Sequence, residues 1–264
     1  MKAVFVLERG TPPRINPVFA ETASLLEARG VTTRLWFPEH ELTRIDRLSV
    51  DADVYLLKSN TSLAISLMTV AERLGARVVN RVSASQTVRD KVVTAAILVR
   101  AGVPAPDSVL ASEPCHLAAA VATRPLIFKP HRGAYGRGIA VADSQETLPA
   151  STQYPDLVFA QDYLCGARTD LKVYAIGDEL FGVRKAYGSD SYLDSGDATR
   201  LSTEVESIVR RTGEALGLEL FGVDLAEDDC GVSVIDVNMT PGYRGVPDAP
   251  QRLAAYIERA GRHA

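Results

Sequence analysis

The sequence predicts an α/β chain in two parts: a small parallel sheet covered by helices, followed by a mainly antiparallel portion. Three observations carry this. The first 80 residues alternate strand-like apolar runs with helix-spaced ones in the order β-α-β-β-α-β. From Pro125 onward the apolar residues fall into short segments joined by tight turns. The chain has 264 residues, 46% hydrophobic and 23% charged, an ordinary globular balance that buries roughly 70–75% of the unfolded surface without a metal or disulfide staple.

The elements follow in order. Lys2–Leu7 is an apolar strand, and Gly10–Pro17 is a Pro- and Gly-rich loop. Val18–Arg29 has helical spacing and stops at Gly30. Strands are expected at Val31–Phe37, Val54–Lys58 and Arg77–Val79, with a helix over Ser62–Leu74 ended by Gly75. A single helix is expected over Ser85–Arg100, closed by Gly102. The segment Gly102–Pro106 is stiffened by its prolines. Strands then fall at Pro125–Lys129, Ile139–Ala142, Val158–Asp162, Lys172–Ile176 and Glu179–Lys185, the last two joined by the turn Gly177-Asp178. A polar stretch, Gly188–Arg200, precedes a helix at Ser202–Leu216. Strands Glu219–Leu225 and Val232–Val237 flank an acidic turn, and Ala249–Arg262 is the last helix.

Composition narrows the function. Lys plus Arg is 29 and Asp plus Glu is 33, a net charge of −4. The excess of acid argues against a nucleic-acid or membrane-surface partner. Three scattered cysteines, Cys115, Cys165 and Cys230, form no CxxC pair, so a reducing cytoplasm is the expected setting. No run of 18 apolar residues suggests a membrane span.

Three clusters of residues carry chemistry. Phe128–Gly138 reads FKPHRGAYGRG, a lysine at a strand end followed by Gly133, Gly136 and Gly138 with Arg137 among them. Such a loop is either a phosphate cradle of backbone N–H groups or a plain hairpin turn. Asp224 interrupts the apolar strand FGVDL, while Asp236 and Asn238 stand two apart in VIDVN and share a face. Acidic residues inside apolar strands are costly; two carboxylates with an amide oxygen suit Mg²⁺ beside phosphates, the alternative being edge-strand residues satisfied by backbone donors. Gln161, Asp162, Tyr163 and Leu164 end a strand in a polar-then-apolar hinge that can give an adenine ring its backbone donor and acceptor; Lys172 and Arg184 on neighbouring strands can address phosphates, or Asp170–Lys172 is a surface pair of alternating polarity.

The order of these pieces, RDK at 89–91, GVPAP, FKP with its glycine loop, QDYL, DLKVYAIG, FGVDL and IDVNMTPGYRG, resembles the ATP-grasp superfamily over about residues 85–250. The resemblance implies an ATP-grasp fold behind an N-terminal pre-ATP-grasp parallel-sheet domain. Residues 1–84 would form that domain and 85–264 the ATP-grasp domain, with a lid-bearing part at about 103–161 and a metal- and substrate-binding part at 162–264. It implies ATP and Mg²⁺ as cofactors, with Mn²⁺ as the alternative ion. Lys91 and Lys129 would contact the nucleotide phosphates, Gly133, Gly136, Arg137 and Gly138 would fold over them, and residues 161–164 would form the adenine hinge. Asp224, Asp236 and Asn238 would be the metal ligands, Arg184 would sit near the transferred phosphoryl group, and Lys172 occupies a position commonly Arg in RimK-type ligases. Arg244, in PGYRG, would meet substrate. The glycine loop and N-terminal part resemble RimK-type carboxylate–amine ligases, whereas the C-terminal segments also resemble inositol-trisphosphate kinases. The implied activity is ATP-dependent joining of a small-molecule or peptide carboxylate to an amine through an acyl phosphate. The alternative is phosphorylation of an inositol phosphate or similar polyol. Oligomeric state stays open.

Overall fold

In the computed structural model, residues 1–80 form a four-stranded parallel sheet, ordered β2-β1-β3-β4. Its strands are β1 (Lys2–Val6), β2 (Thr32–Trp36), β3 (Val54–Leu57) and β4 (Val78–Val79). The described residues are 1–8, 15–133, 138–164, 170–185, 196–229 and 231–262. Gly136, Arg137, Cys165, Cys230, His263 and most of the stretch 188–200 therefore lie outside them, as do the side chains of Asp170 and Lys185.

Helix α1 (Pro17–Ala28) is capped by Asn16, whose side chain accepts from the Val18 N–H, and Pro17 opens its first turn. Helix α2 (Ser62–Arg73) is capped in the same way by Thr61. The inner strands β1 and β3 are apolar on both sides because both are covered, whereas the edge strand β2 exposes Thr32 and Arg34. Phe5 and Leu56 pack with α1, while Val6 and Leu57 pack with α2.

The sequence reading placed one helix over Ser85–Arg100. The structure has two, α3 (Val82–Arg89) and α4 (Lys91–Arg100), broken at Asp90. Asp90 takes an extended backbone and its carboxylate accepts from the N–H groups of Val92 and Val93. The local cap overrides an apolar spacing that runs on through the break.

The antiparallel part is two sheets. The first comprises β5 (Ser108–Ala111), β6 (Leu126–Lys129), β7 (Ala140–Ala142) and β8 (Val158–Asp162), ordered β5-β8-β6-β7. It packs with the short helix α5 (Ala118–Val121) in a core of its own that includes Val121, Leu126, Phe128 and Val158. Strand β5 escapes the sequence reading because four residues, SVLA, offer too little alternation to separate from a loop.

The second sheet is ordered β11-β10-β9-β12-β13. It consists of β9 (Asp170–Ile176), β10 (Glu179–Lys185), β11 (Asp197–Thr199), β12 (Leu220–Asp228) and β13 (Gly231–Met239). Gly177 supplies the left-handed residue of the β9–β10 turn, φ 58°. One face, with Leu171, Val173, Val223 and Leu225, is sealed by α3, α4 and α6 (Thr203–Leu216). The other face is covered at one end by α7 (Ala249–Arg262), Tyr243 and the parallel sheet. The rest of that face is where the polar residues gather.

Asn80 joins the two halves. It is fully buried, donates to the Leu220 carbonyl (2.7 Å) and Thr240 Oγ1 (3.3 Å), and accepts from the N–H groups of Glu219 and Leu220. Thr240 in turn donates to the Leu57 carbonyl at 3.0 Å. Alongside, Arg77 Nη2 donates to both carboxylate oxygens of Glu219 (2.8 and 2.6 Å), which also accepts from the Tyr256 hydroxyl. These bonds tie the ends of β3 and β4 to the strand that carries the candidate metal ligands.

Candidate active site

Strand register assembles the centre. Lys172 on β9 stands opposite Asp224 on β12, which stands opposite Asp236 on β13. Paired residues share a face, so one row carries an ammonium and two carboxylates. The next row is Tyr174, Gly222 and Asn238. Lys172 Nζ lies 2.6 Å from Asp224 Oδ1, and Asn238 Nδ2 donates to Asp224 Oδ2 at 3.0 Å. Burial lowers the Lys172 pKa, but Asp224 more than restores it, leaving the group above its ordinary value.

The two remaining lysines converge on the same strand. Lys91 reaches Asp236 Oδ1 at 2.5 Å from the first turn of α4. The helix break at Asp90 puts Lys91 there and leaves its own N–H free to bond the His131 carbonyl, 2.9 Å away. Lys129, at the end of β6, donates to Gln161 Oε1 (2.8 Å) and the Ile235 carbonyl (3.1 Å). It is 9% exposed, and desolvation pulls its pKa down to about 8 although Asp236 opposes the shift.

Above this lies the open face of the first antiparallel sheet. Ser108, Gln161, Ile127 and Val141 form one row, and Leu110, Phe159 and Lys129 the next. Ile127 is only partly buried, and Leu110 and Val141 are more than 40% exposed. A strip of apolar side chains beside two lysines matches a ring with phosphates attached. In the hinge, the Tyr163 N–H is already spent on the Pro125 carbonyl. Asp162 pairs with Arg124, and the Gln161 side chain holds Lys129. No described residue takes the Leu164 N–H, so Leu164 is the hinge residue with a backbone donor to offer. Gly133 and Gly138 bracket the loop against Pro130; a Cβ on them would come within 3.2 and 2.9 Å of its ring.

One expected residue is misplaced. Arg184 pairs in register with Leu171, not Lys172. It therefore faces the helix-covered side of the sheet, where it forms an ion pair with Glu227 at 2.5 Å. The alternation of β10 turns it away from the Lys172 row, and the role beside the transferred phosphoryl group does not fit it. Arg244 does belong to the region: it is exposed, and its charge acts on Tyr174. The segment bearing it is strained, with Thr240 at φ 39° and Tyr243 at φ 51°. Such conformations cost about 1–3 kcal/mol each and gather at functional loops.

The donor set fits magnesium. Asp224, Asp236 and the Asn238 amide oxygen offer two carboxylates and one neutral oxygen, within what Mg²⁺ takes from protein when phosphates complete its shell. Among the described residues no group of three or more His, Cys, Asp or Glu forms another metal cluster. Without metal, Lys91 and Lys172 neutralise the two carboxylates.

Sequence comparison bears on the same residues. The family model for the RimK-like ATP-grasp domain matches residues 88–257. The chain belongs to that family. It is 25% identical over 224 residues to a probable alpha-L-glutamate ligase of Legionella pneumophila (strain Corby), covering 77% of this chain and 74% of that protein. The fold matches a RimK domain ATP-grasp protein from Sphaerobacter thermophilus with TM-score 0.76 and 19% identity, over 98% of this chain and 100% of that one. It also matches the ATP-grasp ligase PsnB, solved with a minimal precursor, Mg and ADP, with TM-score 0.74 and 19% identity, over 99% of this chain and 98% of PsnB. Among the described residues of this ATP-grasp chain, no helix is long and apolar enough to cross a membrane.

Proposed function

We propose that this protein is an ATP-dependent carboxylate–amine ligase acting in the cytoplasm on a small-molecule or peptide carboxylate. The observation that carries the reading is the row Lys172–Asp224–Asp236 with Lys91 and Lys129 converging on its last strand. In a family whose cited members bear ligase names, that arrangement suits phosphoryl transfer to a carboxylate better than the kinase alternative. The division at 84/85 stays part of this proposal, although the boundary falls inside α3.

The roles follow from position. Lys129 and Lys91 would hold the phosphates, with adenine on the strip Ile127, Val141 and Phe159 and its edge at Leu164. Asp224, Asp236 and Asn238 would hold Mg²⁺, which supplies charge neutralisation at the β- and γ-phosphates. A carboxylate oxygen of the substrate attacks the γ-phosphorus and ADP leaves, giving an acyl phosphate. The amine then attacks the acyl carbon, loses a proton and expels phosphate as the amide forms. The protein contributes alignment and a fixed field of cations. Lys172 would steady charge on the acyl phosphate from its place beside Asp224.

Hydroxylamine tests this directly, because it intercepts an acyl phosphate as a stable hydroxamate. The protein is incubated with Mg·ATP, hydroxylamine and a panel of carboxylates: L-glutamate, N-acetyl-L-glutamate and glutamate-terminated peptides. Hydroxamate with stoichiometric ADP and phosphate supports the ligase. A phosphorylated product stable to hydroxylamine refutes it in favour of the kinase.

A further inference from the structure

We infer that the Tyr174 hydroxyl is a substrate-binding donor that takes the carboxylate to be activated and holds it beside the Lys172–Asp224–Asp236 row; this rests on the ligase reading above. Five tyrosines are buried among the described residues: Tyr55, Tyr154, Tyr174, Tyr243 and Tyr256. Four of them spend their hydroxyls inside the protein. Tyr55 bonds to Asp51, Tyr154 to the Gly138 carbonyl, Tyr243 to the Ala175 carbonyl and Tyr256 to Glu219. Tyr174 is 3% exposed, yet no described residue lies within hydrogen-bonding distance of its hydroxyl. That oxygen is also absent from the sealed, partnerless polar atoms, which are on Trp36, Glu39 and Ser85. A buried tyrosine normally finds a partner for its hydroxyl. Here the ring is fixed and the described residues leave the hydroxyl without a partner.

The ring is held with care. It packs against Tyr243, centroids 5.7 Å apart, and the Lys172 ammonium sits 5.8 Å from its centre. Beneath it β12 carries glycine. A Cβ at Gly222 would lie 3.5 Å from Tyr174 Cδ1 and 3.3 Å from Pro241 Cγ. The absent side chain lets the ring and Pro241 lie over the strand together.

Position selects the ligand. Along β13 the contacts run in order: Lys129 at Ile235, the carboxylate row at Asp236, the Tyr174 row at Asn238, and the parallel sheet at Thr240. Tyr174 thus lies level with Asn238 and one row past the two carboxylates, on the side away from the nucleotide lysine and about 7 Å along the strand. With the nucleotide phosphates held at Lys129 and Lys91, as in the ligase reading, this is the side on which the phosphoryl acceptor would sit. The charges nearby suit an anion: Lys172 and Arg244 both act on the hydroxyl, against Asp224 alone. Burial keeps the phenol protonated, so it donates to a carboxylate oxygen and has no charge to repel it.

The test is Tyr174→Phe in the full-length protein, which keeps the ring and its packing. The hydroxamate assay is run with the panel carboxylate most active with the unaltered protein, and Mg·ADP affinity is measured by calorimetry. We expect the carboxylate KM to rise about tenfold to a hundredfold, the loss of one hydrogen bond to a charged group, with Mg·ADP affinity within about twofold. Tyr243→Phe, whose hydroxyl is spent on the backbone, should lower thermal stability and leave that KM unchanged. An unchanged KM in Tyr174→Phe overturns the inference, and so does a parallel loss of Mg·ADP affinity. If the unaltered protein forms no hydroxamate with any panel member, the ligase reading fails first and takes this inference with it.

Discussion

Lys129 holds a charge that its burial disfavours, and the consequence can be measured. Its pKa falls from 10.5 to about 8, chiefly by desolvation. At 1.36 kcal/mol per tenfold, that gap corresponds to about 3 kcal/mol. The sign follows from proton counting. Between about pH 8 and 10.5 the unfolded chain binds the lysine proton and the folded chain does not, so stability rises with pH across that window. Below pH 8 both states are protonated and the full penalty is present. Lys129→Met removes the group and with it this dependence. Urea unfolding of both proteins from pH 7 to 10.5 should show the stability difference moving by about 3 kcal/mol in favour of the unaltered chain. Phosphates would reverse the bias. Mg·ATP binding at pH 8.5 should take up protons, seen as buffer-dependent calorimetric heats, and Lys129→Met should lose most of that uptake. A stability difference flat across the window, together with equal proton uptake, would refute the reasoning.

Three further outcomes are expected. Asp236→Asn should remove turnover and leave the melting temperature within a few degrees, since it takes away a candidate Mg²⁺ carboxylate and the partner of Lys91; near-normal activity at low Mg²⁺ would make Asp236 structural. Asn80→Ala should destabilise by about 3 kcal/mol or more, because it strands the N–H groups of Glu219 and Leu220 in the interior, and chemical denaturation measures it directly. The Glu219 carboxyl is desolvated by burial, which would raise its pKa, but Arg77 and Tyr256 win and hold it below 4.5. Its contribution is present above that value and is lost as pH falls through the lower folded pKa, so Glu219→Gln should flatten the acid limb of the stability curve below about pH 4.5.

Much of this centre was legible in the sequence, by unequal routes. Period-two alternation puts Asp236 and Asn238 on one face, and the structure keeps them there beside Asp224. The same rule applied to Lys172 would have pointed to Tyr174, two residues on in DLKVYAIG. It would also have turned Arg184 away from Lys172 had the hairpin register been known, since Gly177-Asp178 pairs Val183 with Lys172. Motif order therefore found the right strand for Arg184 and the wrong face. The convergence of Lys91 and Lys129 came only through the family resemblance, because their shared target on β13 lies more than 100 residues away in the chain. Asn80 carried no local signal: its four hydrogen bonds go to Glu219 and Leu220 at the start of β12 and to Thr240 after β13, and only the closed fold brings them together. At Asp90 a strong cap was masked by apolar residues on both sides.

The Asn80 junction has a consequence for anyone recombining this scaffold. Exchanging residues 1–84 with a relative would cut through a continuous hydrophobic core, since Val6, Leu57 and Met68 share one cluster with Val173, Ile208 and Val223. It would also require the incoming segment to reproduce an asparagine fitted to another sheet's backbone and an arginine paired with the Glu219 carboxylate. The first antiparallel sheet is a different case. Its core is separate, and it meets the remainder through polar links such as Pro104 to Val234 and Lys129 to Ile235. Residues 104–164 are therefore the natural cassette: the proposed adenine strip and hinge would travel with it as a module, whereas the proposed acceptor side would have to be redesigned in place.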